Sequence, residues 1–224
     1  MSSCPVSEEL AELHQAAPAS AARRALLGSS LALACGFHLP QAHAGAQLEE
    51  PLADAVRTAL AASVADAAPP KPRFDKLEER LVYLKWLGVM SEKLKRRKAD
   101  HHTRIEFLEA AWYESRRAGL ETSLVLGLVQ VESGFRKYAI SSAGARGYMQ
   151  VMPFWARVIG DGDARRLFHL QTNLRFGCVI LRHYLDRERG DVFMALGRYN
   201  GSRGQPQYPA LVFGARKAWD VPAG

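Results

Sequence analysis

Glu132-Ser133 closes an apolar run, Ser123-Leu-Val-Leu-Gly-Leu-Val-Gln-Val131, whose composition suits a buried helix. A carboxyl group at the end of such a helix is poorly hydrated. An apolar setting penalises the ionised form and raises the pKa. A raised pKa lets the group give up a proton near neutral pH, as a general acid must. Two later segments carry groups that could work beside it: Gly144-Ala-Arg-Gly-Tyr-Met-Gln150, with Met149 seventeen positions after Glu132, and Arg198-Tyr-Asn200. A lone glutamate at a helix end is ordinarily a surface or ion-pairing residue. The apolar run directly ahead of Glu132 sets this one apart.

The elements that must position these residues are helical. Apolar positions recur at helical spacing in Thr103–Ala118 (Ile105, Leu108, Ala111, Trp112), in Leu120–Gly134 and in the amphipathic Leu170–Arg187. Pro153 opens a short helix to Ile159, and Asp191–Tyr199 is another. Asn200-Gly201 carries ordinary helix-stop chemistry. Gly144 and Gly147 supply backbone freedom where the intervening loop turns. No alternating strand pattern of useful length is present, and the class is all-α. Upstream, Leu77, Leu81, Leu84, Leu87 and Leu94, with Tyr83 and Trp86, predict an accessory amphipathic helix within residues 74–100. Its basic tail, Glu92-Lys-Leu-Lys-Arg-Arg-Lys98, reads as a solvated helix end that favours the macrodipole. Adhesion to an anionic envelope surface is the alternative reading.

The order and gaps of five segments resemble the lytic transglycosylases of the goose-lysozyme-like superfamily, over about residues 103–219. Glu132-Ser133 matches the family's Glu-Ser motif. Gly144–Gln150 matches Gly-Leu-Met-Gln, with Tyr148 in place of Leu. Asn173-Leu-Arg-Phe-Gly177 matches Asn-Ile-x-x-Gly, and Arg198-Tyr-Asn200 matches Ala-Tyr-Asn with Arg in place of Ala. Tyr208-Pro-Ala-Leu-Val212 resembles a late Tyr-containing segment. The resemblance implies a lysozyme-like (goose-type) catalytic domain over 101–224 that cleaves the β-1,4 bond between N-acetylmuramic acid and N-acetylglucosamine, leaving 1,6-anhydro ends. It implies Glu132 as general acid and then base. It implies substrate contacts at Ser141, Gln150, Met152, Tyr199 and Asn200, with the Tyr199 hydroxyl reaching the catalytic carboxyl. Asn173 reads as structural, fixing a helix start. Some members carry a late Glu where Gln205 stands, and no other acid falls in a matching motif. A lysozyme-type hydrolase and a non-catalytic wall-binding protein on the same fold are the alternatives.

Composition bounds the rest. The chain has 224 residues, is 48% hydrophobic and carries a formal charge of +7. A basic surface attracts anions. No zinc-finger spacing, basic zipper or RNA-binding signature appears, so nucleic acid is not the expected partner. Peptidoglycan glycan strands are. Cys4, Cys35 and Cys178 are far apart, and no His/Cys cluster calls for a metal or an organic cofactor. Arg23-Arg24, the apolar run Ala25–Gly36 and Ala42-His-Ala44 predict a signal peptide over 1–44, cleaved after Ala44. The arginine pair partly fits the twin-arginine route, and lipoprotein anchoring at Cys35 is the weaker variant. The expected location is the periplasm or cell envelope. Residues 45–73, ending in Ala68-Pro-Pro-Lys-Pro-Arg73, read as a flexible linker.

Overall fold

The computed structural model describes residues 47–65, 72 and 74–221. The predicted leader (1–44) and the Pro-rich stretch at 68–71 and 73 lie outside these residues. Among the described residues eight α-helices follow in order: α1 (Asp54–Ala65), α2 (Leu77–Leu94), α3 (His101–Arg117), α4 (Thr122–Ser133), α5 (Pro153–Ile159), α6 (Leu170–Arg187), α7 (Val192–Asn200) and α8 (Gln207–Arg216). The described residues contain no strand, only isolated bridges pairing Arg146 with Ile140 and with Val151. The all-α reading holds.

Local chemistry sets the boundaries. Asp100, Asp163 and Asp191 each accept a backbone N–H at the start of a helical segment, satisfying donors that a helix start leaves unpaired. Gly134 and Gly201 end α4 and α7 in the left-handed conformation, which glycine adopts without a Cβ penalty. Helix α4 is the central element. Leu124 to Val129 are all buried, and α8, α3 and the 3₁₀ turn Lys217–Trp219 pack around it.

The structure departs from the sequence reading in the N-terminal part of the chain. Residues 45–73 are not a linker throughout. Asp54–Ala65 form α1, which packs on α5 and α6, with Leu60, Ala61 and Val64 against the core. The alanine-rich composition that suggested a linker is equally that of a good helix former. The leucine stripe of α2 meets the core only in its C-terminal half, through Leu87 and Leu94. Leu77, Leu81 and Leu84 are exposed, whereas Tyr83, Met90 and Leu94 are buried. Nor is the basic tail simply solvated. Lys93 donates to the carbonyls of Ala218 and Asp220, and Lys98 donates to the Tyr148 hydroxyl at 2.9 Å. Arg104 of α3 reaches Ser91, Lys98 and Ala99. Helix α2 is thus fastened to the domain at its C-terminal half.

The approach of α8 to α4 depends on Gly127. A Cβ there would lie 2.8 Å from the backbone nitrogen of Arg216 and 2.9 Å from its Cα. Backbone cannot swing aside as a side-chain tip can. In an open helix interior Gly→Ala gains up to ~1 kcal/mol, but overpacking of this kind costs ~1–3 kcal/mol. Gly127→Ala is therefore expected to lower stability by about 1–2 kcal/mol in urea unfolding, where propensity alone would predict a gain.

Candidate active site

The last turn of α4 delivers Glu132 to the interior, where it is 5% exposed. The Tyr208 hydroxyl, at the start of α8, donates to Glu132 Oε1. The other carboxyl oxygen, Oε2, is buried and has no hydrogen-bond partner. Burial pushes the pKa up to about 8, opposed in part by the Tyr208 bond, which favours the ionised form. One oxygen is held and the other is unsatisfied. A protonated carboxyl in this arrangement can present its proton to a group entering from the Oε2 side.

The floor of the site is the loop 139–152. Ser133 Oγ donates to the Tyr148 carbonyl at 2.7 Å and lies 3.1 Å from the Val129 carbonyl, so the residue after the acid ties α4 to this loop. Asn173 of α6 holds the loop from the other side. Its Oδ1 accepts from the Met149 N–H at 2.7 Å, and its amide nitrogen donates to the carbonyls of Arg146 and Leu167. Asn173 is structural, as expected, but what it fixes is the loop as well as the helix. Gly147 (φ 77°) is required here: a Cβ would meet the Asn173 amide at 2.3 Å and the Leu167 carbonyl at 2.5 Å.

The predicted contact residues divide. Gln150 is buried in a left-handed conformation (φ 49°), and its amide donates to the carbonyls of Ala139 and Gly147. Its side chain braces the loop. Met152 is partly buried at the cap of α5. Ser141 accepts from the Ala145 N–H within its own turn, a bond that stabilises the loop. Asn200 ends α7, its amide nitrogen on Ser202 Oγ and its Oδ1 buried without a partner. Tyr199 is fully buried, and its hydroxyl donates to the Met149 carbonyl at 2.8 Å. The tyrosine that reaches the carboxyl is Tyr208, not Tyr199. The sequence carries one hint: Tyr208 stands in the first turn of α8, within the late Tyr-containing segment.

The two departures from the family motifs have structural partners. Tyr148 packs on Phe107, with ring centroids 4.9 Å apart, beneath Lys98. Arg198 pairs with Glu188 and with Glu50. Other acids of the domain are engaged away from Glu132. Glu114 is buried against Arg175 and Arg117, Glu121 pairs with Arg216, and Asp161 and Asp163 pair with Arg166 and Arg165. Asp186 pairs with Arg182, Glu188 with Arg198 and Arg203, and Asp191 caps α7. Cys178 is buried with a free thiol. A cavity of about 610 Å³ lined by α1, α5 and α6 contains none of the predicted site residues. Among the described residues no cluster of three or more His, Cys, Asp or Glu could hold a metal ion, and no helix is long and apolar enough to cross a membrane.

Burial of Glu132 has a stability signature. In the unfolded chain the carboxyl loses its proton near 4.5, and in the folded chain it keeps it to about 8. Between these values the folded state holds the extra proton, so stability falls as pH rises. Glu132→Gln removes this dependence. The variant should match the parent near pH 4 and exceed it near pH 7 by on the order of 3 kcal/mol, read by urea unfolding at both pH values.

Residues 109–218 match the transglycosylase SLT domain family. The chain is 36% identical over 106 residues to a transglycosylase of Enterobacteria phage PRD1, covering 47% of this chain and 38% of the phage protein. It is 54% identical to the membrane-bound lytic murein transglycosylase C of Haemophilus ducreyi over a match covering 40% of this chain and 29% of the relative. A similar protein of Mannheimia succiniciproducens is 49% identical over 51 residues, which cover 14% of its length. The chain thus spans well under half the length of these relatives. The helical site built around Glu132 lies inside this stretch, residues 109–218, which is similar to the transglycosylase SLT domain family.

Proposed function

We propose that this protein is a peptidoglycan lytic transglycosylase, with Glu132 acting first as acid and then as base. The observation that carries the reading is the asymmetry of the carboxyl: Oε1 held by Tyr208, Oε2 buried and unpartnered. The protonated group gives its proton to the glycosidic oxygen as the C1–O bond breaks. Positive charge develops at C1, where the substrate's own N-acetyl oxygen can assist. Tyr208 then donates to a full carboxylate, and a hydrogen bond to an ionised acceptor is stronger than one to a neutral acid. Glu132 next takes the proton of the C6 hydroxyl of the N-acetylmuramoyl unit. That oxygen attacks C1 and closes the 1,6-anhydro ring. The nucleophile belongs to the substrate, so the reaction gains from proximity that water lacks.

This route needs one carboxyl. Hydrolysis of the common two-carboxylate kind needs a second across the bond, whereas Glu114 and Glu188 serve ion pairs and Asp191 caps α7. The murein transglycosylases among the relatives favour peptidoglycan as the substrate and the cell envelope as the location. We take Ser133, Asn173, Tyr199 and Gln150 to position the loop, and Tyr208 to position the acid. Ser141, Met152 and Asn200 are proposed to border the bound glycan.

Purified peptidoglycan incubated with the protein should yield muropeptides lighter by one water than hydrolytic products, identified by mass spectrometry. Glu132→Gln should lower their rate by at least ~100-fold, the effect of losing a general acid. Full-mass reducing ends would instead identify a hydrolase. Binding without products would identify a wall-binding protein.

A further inference from the structure

The segment ahead of α1 enters the site just described. Gln47 is 3% exposed, although it lies 85 positions before the acid. Its Nε2 donates to the Gln150 carbonyl at 3.2 Å, and its Oε1 accepts from the Met152 N–H at 3.2 Å. It is also hydrogen-bonded to Tyr199. Those two backbone groups belong to the loop that forms the floor beside Glu132. A buried carbonyl and a buried N–H must find partners, and here a side-chain carboxamide supplies both. The N-acyl amide of an amino sugar carries the same two functions, one acceptor and one donor.

Between Gln47 and Leu52 the segment is held by ion pairs at or near the surface. Glu49 pairs with Arg157 at 3.5 Å, with both side chains more than half exposed. Glu50 pairs with Arg187 and with Arg198, and Leu52 packs against the core before α1 begins. Partly exposed ion pairs contribute little and are screened by salt. Helix α1 is docked on α5 and α6, so residues 47–53 have a fixed end at α1 and a releasable end at Gln47. With the segment seated, the acid is 5% exposed. A polymer cannot reach it without something moving.

We propose that residues 47–53 are a strap that closes the cleft in the free chain, the Gln47 carboxamide occupying the place of a sugar's N-acyl amide. A glycan strand must lift the strap to engage Glu132. The proposal rests on the reading of Glu132 as the catalytic acid and adds a regulatory step to that site. Only the fraction of molecules with the strap lifted binds, so the apparent affinity is lowered by that fraction.

The test uses the full chain carrying Glu132→Gln, which binds without cleaving, and a neutral β-1,4-linked N-acetylglucosamine oligomer as probe in titration calorimetry. Adding Gln47→Ala should tighten binding at least ~5-fold, the closed fraction having been released. Adding Glu50→Gln, which loosens the latch without touching the cleft, should tighten it by a smaller factor. Raising salt should tighten binding to the parent and leave Gln47→Ala unchanged, because the probe carries no charge. Unchanged or weaker binding in both variants, with thermal melting like the parent's, would overturn the strap. A Gln47→Ala protein that melts early is set aside, and Glu50→Gln with the salt series then decides alone. Cleavage assays with Glu132 intact separate the two ideas. Tighter binding without anhydro products from any variant would keep the strap and remove the transglycosylase reading. Anhydro products with binding unmoved by either variant would do the reverse.

Discussion

The structure is organised around the cost of placing one ionisable carboxyl at the end of an apolar helix. Water would stabilise the charged form of Glu132, and α4 excludes it. Burial alone would drive the group towards permanent neutrality, useless as a base. The Tyr208 hydroxyl restores part of what water would have supplied, from one fixed direction. The group is left able to exist in both protonation states. The surroundings keep that balance in place: α8 close enough to α4 for the tyrosine to reach, and a braced loop beside the buried Oε2.

That rigidity comes from side chains bonding to backbone. Ser133, Asn173, Tyr199 and Gln150 each tie a carbonyl or an N–H of residues 139–149. The loop's own backbone pairing is limited to isolated bridges at Arg146, and the side-chain ties complete it, because buried peptide groups must be paired. The same arrangement explains residue types that would otherwise read as substrate contacts. Polar residues in a motif can hold the backbone that shapes a site rather than touch the ligand.

Much of the domain was legible in the sequence, and for identifiable reasons. Helices α5 and α6 follow the proline and the amphipathic period, and α4 follows its apolar run. Glu132 stood out because a carboxyl directly after seven mostly apolar residues is costly unless used. Helix α1 was missed because alanine-rich sequence suits a helix and a linker alike, and only packing against α5 and α6 decides. The leucine spacing of α2 gives a face but not what covers it. Tyr208 and Tyr199 could not be told apart as partners of the acid, since that depends on how two helices cross. Gln47 left no signal, because its role depends wholly on where the chain brings it.

The partner of the acid arrives late in the chain. Helix α4 is complete some seventy residues before Tyr208 is added. During synthesis the apolar helix and its carboxyl therefore emerge with neither α8 nor the closing 3₁₀ turn to cover them. A growing chain at that stage carries the glutamate without the hydroxyl that holds it. Without α8, Oε1 of Glu132 has no hydroxyl to hold it and α4 loses its main packing partner.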